Sequence, residues 1–136
     1  MILAAWIGTF CGSVDSRAAE DVVREGPITY CTVGDTELQL DLARPAEGDG
    51  PFPAIVFIHG GGWRGGSRAW YLNAIGAAAK HGYVASTVSY RLTKAGKDGK
   101  LINQFPDQVH DVKCAVRWLR AHAKKYKVDP DRIGAT

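Results

Sequence analysis

The segment Ala54-Ile55-Val56-Phe57-Ile58-His59-Gly60-Gly61-Gly62-Trp63 decides the fold and points to the chemistry. Its five leading apolar residues predict a short strand that is covered on both faces. The strand runs directly into three glycines, which lack a Cβ and adopt backbone angles that other residues avoid. Such a loop can turn backbone N–H groups towards an oxygen anion. The segment therefore predicts a strand followed by an oxyanion-binding loop.

Two further strands are predicted before this segment. Residues 28–33 and 37–42 have the composition of strands, and Gly34-Asp35 between them is a turn signal. In the second run, leucines at positions 38, 40 and 42 alternate with polar residues, which is the pattern of a half-buried antiparallel strand. Residues 45–53, rich in Gly and Pro, predict a surface loop.

The rest of the chain alternates helices and strands. We predict a helix over 67–81 that ends at Gly82, a strand over 83–90, a polar loop over 91–103 and a helix over 106–126. The last helix has one apolar stripe, formed by Val109, Val112, Val116, Leu119 and Ala123. Asp129-Pro130-Asp131 should break it, and Arg132-Ile133-Gly134 begins a further strand.

This order of elements predicts an α/β fold with a mainly parallel sheet. Four motifs follow one another along the chain. They are the loop His59–Trp63, the segment Ser89-Tyr90-Arg91-Leu92, the helix opened by Phe105-Pro106 that carries Asp111 and Val116-Arg117-Trp118-Leu119, and residues 129–134. Together these motifs resemble those of the α/β-hydrolase esterases and lipases. The similarity covers residues 30–136, and is strongest to acetyl esterases, feruloyl esterases and hormone-sensitive-lipase-like enzymes. It implies the N-terminal half of an α/β-hydrolase sheet: two antiparallel strands, then strand, helix, strand, helix and the start of a further strand.

The resemblance also implies roles for individual residues. Gly60 and Gly61 would donate their N–H groups to the substrate oxyanion, and Gly62 would complete the loop. His59 would brace the loop instead of acting as a base, and Trp63 would form a wall of the pocket. Arg91 and Asp111 would have structural roles. The implied substrate is a small-molecule ester, and no cofactor or metal is implied.

The catalytic residues of that family are not found in this sequence. The family's nucleophile lies in G-x-S-x-G after the fifth strand, followed by the acid and the histidine. None of the serines (Ser13, Ser16, Ser67, Ser86 and Ser89) has glycine at both −2 and +2. We therefore expect residues 19–136 to be the N-terminal part of a hydrolase domain that stops before its nucleophile, and expect the chain alone to be inactive. Two other hypotheses stay open, namely a related formamidase and a non-catalytic remnant.

A dinucleotide-binding site is a weaker alternative. Gly60, Gly62 and Gly65 fit G-x-G-x-x-G after a strand, but that mechanism needs an acidic residue at the end of the next strand. The sequence has Arg91 there instead, and the bulky Trp63 lies where a pyrophosphate would approach.

Charge and cysteine content indicate no other class of partner. A net charge of +3 is too small to indicate nucleic acid. The three cysteines have no CxxC spacing, so no disulfide framework follows from them. His110, Cys114 and His122 share a helix face only in part, and we do not predict a metal site.

The N-terminal residues allow two interpretations. Residues 1–13 are mostly apolar, and Ser16-Arg17-Ala18 fits the small-residue pattern of a signal cleavage site, but no Lys or Arg precedes the apolar run. The apolar run is far too short to span a membrane. Residues 1–18 are thus a signal peptide, which implies a secreted or periplasmic protein, or a disordered segment, which implies a cytoplasmic one.

Overall fold

The computed structural model describes residues 21–136, so the signal-peptide hypothesis for residues 1–18 falls outside the described part. The two N-terminal strands, β1 (Val22–Val33) and β2 (Thr36–Pro45), form the antiparallel pair predicted from the sequence. Both are longer than predicted. The turn between them uses Gly34, whose φ of 55° is in the left-handed region that glycine tolerates.

The parallel part of the sheet is formed by β3 (Phe52–Ile58), β4 (Val84–Val88) and β7 (Val128–Ala135). The strand order is β1-β2-β4-β3-β7. β4 pairs antiparallel with β2 and parallel with β3, and β7 is parallel to β3 on its other side. The predicted fold class is therefore confirmed, and the further strand, β7, begins at Val128 instead of Arg132.

Two helical predictions need correction. The helix predicted over 67–81 begins with a 3-10 turn at Arg68–Tyr71, and only Leu72–Lys80 (α1) is α-helical. The helix predicted over 106–126 is divided at His122 into α2 (Asp107–Ala121) and α3 (Ala123–Tyr126). Lys127 then adopts a left-handed φ of 58° and ends α3, so Asp129-Pro130-Asp131 lies within β7 and is not the helix breaker.

The apolar stripe predicted for α2 is not its most buried face. The fully buried side chains of α2 are Gln108, Asp111, Ala115 and Leu119. Of the predicted stripe, Leu119 is buried, whereas the valines at 109, 112 and 116 are only partly covered. Two polar residues occupy the inner face because they hold the preceding loop, as described below.

Helices cover both faces of the sheet. On one face, α2 and α3 pack their inner residues against a core that includes Leu40 and Val56. On the other face, α1 contributes Ile75 and Ala79, which pack against Ala43 and Ala85.

Residues 91–103, predicted to be a loop, include a pair of two-residue antiparallel strands, β5 (Lys94–Ala95) and β6 (Leu101–Ile102). Within residues 21–136, no helix is long and apolar enough to cross a membrane.

Candidate active site

The glycine loop begins at the carboxyl end of β3 and forms a tight turn. The N–H groups of Arg64 and Gly65 both donate to the carbonyl oxygen of Gly61, at 3.1 and 3.2 Å. Gly61 and Gly62 have φ angles of 118° and 58°, which residues with a side chain rarely adopt. A Cβ at Gly61 would also meet the carbonyl of Gly65. The turn itself therefore requires glycine at position 61.

The three successive glycines present free donors. Gly60, Gly61 and Gly62 are all exposed, and none of their N–H groups has a hydrogen-bond acceptor among residues 21–136. Unpaired backbone N–H groups in a rigid loop are the chemical requirement for binding an oxyanion. The structure thus leaves free the N–H groups of the two residues, Gly60 and Gly61, that the resemblance implies as oxyanion donors.

His59, the residue that precedes the three glycines, is buried and contacts the loop backbone. Its Nδ1 lies 2.9 Å from the carbonyl oxygen of Gly60. The imidazole ring stacks on the ring of Tyr90, with centroids 4.3 Å apart, and the phenol O–H of Tyr90 donates to the carbonyl oxygen of His59 at 2.6 Å. Burial raises the pKa of Tyr90 above its ordinary value, so this phenol remains a donor at neutral pH. Tyr90 was not predicted as part of the site; its place in the motif Ser89-Tyr90-Arg91-Leu92 was the available signal.

Gly66 is a second residue that sequence reasoning missed. Its φ is 102°, and a Cβ there would meet Nδ1 of His59 and the carbonyl oxygen of Gly60. The Gly66 backbone therefore lies close to the His59 ring and leaves no room for a side chain. The Gly65-Gly66 pair that precedes Ser67 was the sequence signal.

Trp63 closes the loop in a left-handed conformation, with a φ of 61°. Its carbonyl oxygen accepts the N–H of Thr93 at 2.8 Å, and its indole stacks on Phe105 with centroids 5.6 Å apart. Such a backbone angle costs about 1–3 kcal/mol for a non-glycine residue, and it is kept because these contacts fix the residue on both sides. Trp63 is 42% exposed and Phe105 is 65% exposed, so the stacked pair is open to a ligand.

An apolar cavity of about 260 Å³ lies beside the loop, between the indole of Trp63 and the N-terminal half of α2. Its lining residues are Ile58, Trp63, Tyr90, Gln108, Val109, Val112 and Lys113. A larger cavity, of about 420 Å³, lies next to Phe52 and Gly82, which precede or begin the parallel strands. Because ligands of parallel α/β sheets bind at the carboxyl ends of the strands, we assign the smaller cavity to the site.

Arg91 and Asp111 form a buried ion pair that fixes the loop after β4. The Nε and Nη2 atoms of Arg91 lie 2.9 and 2.8 Å from the two carboxylate oxygens of Asp111, and the backbone N–H of Arg91 donates to the same carboxylate at 2.9 Å. The side-chain hydrogen bonds that Arg91 donates to Asp111 raise the pKa of Arg91. Asp107 lies at 3.5 Å from Nη2. Arg91 is therefore engaged within the protein and does not offer its charge to a cofactor phosphate.

Gln108 explains why the other inner position of α2 is polar. Its amide nitrogen donates to the hydroxyl of Thr93 at 3.1 Å and to the carbonyl oxygen of Asn103 at 2.6 Å. Thr93 in turn holds the backbone of Trp63. The polar face of α2 thus positions the wall of the cavity. Among residues 21–136, no three His, Cys, Asp or Glu side chains could hold a metal ion.

Comparison with known proteins identifies the family of this site. The family model BD-FAE matches residues 40–136. A protein of Mycobacterium tuberculosis named "Probable carboxylic ester hydrolase LipM" is 30% identical over 88% of this chain and 27% of its own length. The fumonisin B1 esterase of Sphingopyxis macrogoltabida is 30% identical over 95% of this chain and 26% of its own length.

The fold gives the same result. A thermophilic esterase of Thermogutta terrifontis, Est2, superimposes with a TM-score of 0.70 at 34% identity, over 79% of this chain and 38% of that one. The chain belongs to the BD-FAE family of α/β-hydrolase esterases. It spans about a quarter of the length of these two curated relatives.

Proposed function

We propose that this chain supplies half of the oxyanion hole and one wall of the substrate pocket of a serine-dependent carboxylic-ester hydrolase. The nucleophilic serine, the acid and the catalytic histidine would lie beyond Thr136. The observation that carries the proposal is the exposed row of N–H groups at Gly60, Gly61 and Gly62, which have no acceptor among residues 21–136 and lie at the carboxyl end of a parallel strand.

The position of Thr136 supports this assignment. Its carbonyl oxygen accepts the N–H of Ile58 at 2.8 Å, and its own N–H donates to Val56 at 3.0 Å. A residue that follows Thr136 therefore lies at the carboxyl ends of the parallel strands, as Gly60 does. In the resembled family the nucleophile follows this strand, so its side chain would reach a carbonyl carbon held over the glycine loop.

The proposed reaction uses the N–H groups of the glycine loop to stabilise negative charge. Attack by a serine oxygen on the ester converts the carbonyl oxygen into an oxyanion, and Gly60 and Gly61 would stabilise that charge by donating hydrogen bonds. Collapse of the tetrahedral intermediate expels the alcohol and leaves an acyl-enzyme, which water then hydrolyses. Donors fixed by the His59 anchor need no reorganisation as the charge develops.

The cavity beside Trp63 would hold the apolar part of the ester. Its walls are aliphatic and aromatic apart from Gln108 and Lys113, which suits an uncharged acyl or alcohol group. Trp63, which lines the cavity, is stacked on the exposed ring of Phe105.

Two hydrolysis assays test the proposal. The 136-residue chain with a chromogenic acetyl ester should show no saturable turnover, because no Ser–His–acid set can be assembled from it. A longer protein that continues beyond Thr136 should hydrolyse the ester, and replacing the serine of its G-x-S-x-G with alanine should abolish activity. Saturable turnover by the chain itself that disappears in Ser67→Ala would refute the proposal. Faster hydrolysis of N-formyl amides than of esters by the longer protein would favour the formamidase alternative.

A further inference from the structure

Two cysteines from distant parts of the sequence share one core cluster. Cys31 lies on β1 and Cys114 on α2, and both are free cysteines that are half-buried. Both pack against the same buried apolar cluster, between the edge of the sheet and the helix that covers it. They are 83 positions apart in the sequence, so only the fold brings them together.

A β-bulge is what turns Cys31 towards α2. Thr29 pairs with Gln39 and Cys31 pairs with Leu38, so Tyr30 is an extra residue in β1. An extra residue in one strand changes which face the following side chains occupy. Tyr30 and Cys31, although adjacent, therefore both pack into the cluster beneath α2.

The pKa directions of the neighbouring groups agree with their sharing one cluster. The pKa of the Cys31 thiol is raised, first by its side-chain interaction with Cys114 and then by burial. The pKa of Tyr30 is also raised, first by burial and then by Asp111 and by both thiols. Cys31, Cys114 and Tyr30 thus lie within electrostatic range of one another.

We propose that Cys31 and Cys114 are an oxidisable dithiol, a site where a disulfide joins β1 to α2. The oxidant is a low-molecular-weight disulfide. One cysteine thiolate attacks it, forms a mixed disulfide and releases one small thiol. The second cysteine thiolate then attacks the protein sulfur of that mixed disulfide, forms the Sγ–Sγ bond and releases the second small thiol. Two electrons pass to the oxidant, and the two cysteine protons end on the two thiols.

The disulfide would fix β1, an edge strand of the five-stranded sheet, to α2. β1 pairs only on its β2 side within the five-stranded sheet described for residues 21–136. A cross-link over so long a stretch of chain restricts the unfolded state strongly, so oxidation should raise the melting temperature. This inference is independent of the proposed hydrolase function.

The test is oxidation of the native, reduced chain with oxidised glutathione, followed by acid quenching, alkylation and peptide mapping. Trypsin releases Cys31 in peptide 25–64 and Cys114 in peptide 114–117. We expect these two peptides to be cross-linked in about tenfold excess over any pair that contains Cys11, because the fold holds the two thiols together. In guanidinium chloride the preference should disappear.

Matched variants complete the test. Cys11→Ser should leave the cross-link and the rise in melting temperature unchanged. Cys114→Ser should leave Cys31 as a glutathione adduct, with no rise. The proposal is overturned if both thiols remain reduced in the native chain, or if the pairing is no more selective in the native state than in guanidinium chloride.

Discussion

Removing the charge of Asp111 should destabilise this chain more than any other exchange of an acid for its amide. In Asp111→Asn the side chain keeps its shape, but the guanidinium of Arg91 loses its principal partner. The carboxylate is 2% exposed and accepts from Nε, Nη2 and the backbone N–H of Arg91, all within 2.9 Å. The amide nitrogen of asparagine would face these donors without being able to accept from them.

The magnitude follows from what remains around Arg91. Breaking a buried pair by removing one partner costs about 3–5 kcal/mol, because a buried charge is left uncompensated. Asp107 remains at 3.5 Å and the Arg91 side chain is 14% exposed, so partial compensation places the loss near the lower end, at about 3 kcal/mol.

Urea unfolding of the chain, followed by circular dichroism, measures this loss. Asp107→Asn is the matched control: this carboxylate is 36% exposed and makes one long contact, so its loss should cost less than about 1 kcal/mol. Amide exchange gives a local readout, because the Thr93 N–H should exchange faster in Asp111→Asn when the loop is released. Equal effects of the two substitutions, or a loss below about 1 kcal/mol for Asp111→Asn, would refute the reasoning.

Three further outcomes are expected. Gly66→Ala should lower the free energy of unfolding, measured in urea, by about 2 kcal/mol or more, because the alanine Cβ meets the His59 ring. Gly60→Ala is the control: the space around its Cβ is open, so it should cost less than about 1 kcal/mol. Ser67→Ala removes a cap, since its hydroxyl accepts the N–H two residues on at 3.2 Å, and calorimetry should show a loss of about 0.5–1 kcal/mol. The free energy of unfolding should fall as pH rises above about 10, because burial raises the pKa of Tyr30 and its phenol keeps its proton only in the folded state. In Tyr30→Phe, the slope of the free energy of unfolding against pH should be shallower between about pH 9 and 11. An unchanged slope would contradict this.

The sequence predicted the sheet well because its signals are local. Alternating leucines in β2 and the run of apolar residues in β3 each mark a strand without reference to the rest of the chain. The glycine loop was predictable for the same reason, since three glycines after a buried strand permit the left-handed backbone angles that such a turn requires. His59, which was predicted to brace that loop, has its Nδ1 2.9 Å from the Gly60 carbonyl oxygen and its ring stacked on Tyr90.

Features that depend on distant partners were not predictable. Gln108 and Asp111 are buried on α2 because their partners lie on the loop after β4, so a count of apolar residues selected the wrong stripe. The bulge at Tyr30 shows only in the register between β1 and β2. The contact of Tyr90 with His59 likewise joins the ends of two different strands.

The central claim, that the Gly61 N–H stabilises an oxyanion, needs a change that removes the donor without adding atoms. Gly61→Val is unsuitable, because a Cβ there meets the Gly65 carbonyl and would rebuild the turn. Replacing Gly61 with glycolic acid exchanges its N–H for an ester oxygen and leaves the rest of the residue intact. The matched control is the same exchange at Gly48, an exposed glycine next to Phe52 at the opposite end of β3.

The measurement is kcat and KM of the longer, active protein on the smallest ester that it accepts, for both backbone esters. At Gly61 we expect kcat to fall by about 10²–10³-fold with little change in KM, because the oxyanion charge is complete only in the transition state. At Gly48 neither constant should change. An unchanged kcat with a raised KM at Gly61 would show that the loop only shapes the pocket, and would contradict the oxyanion assignment.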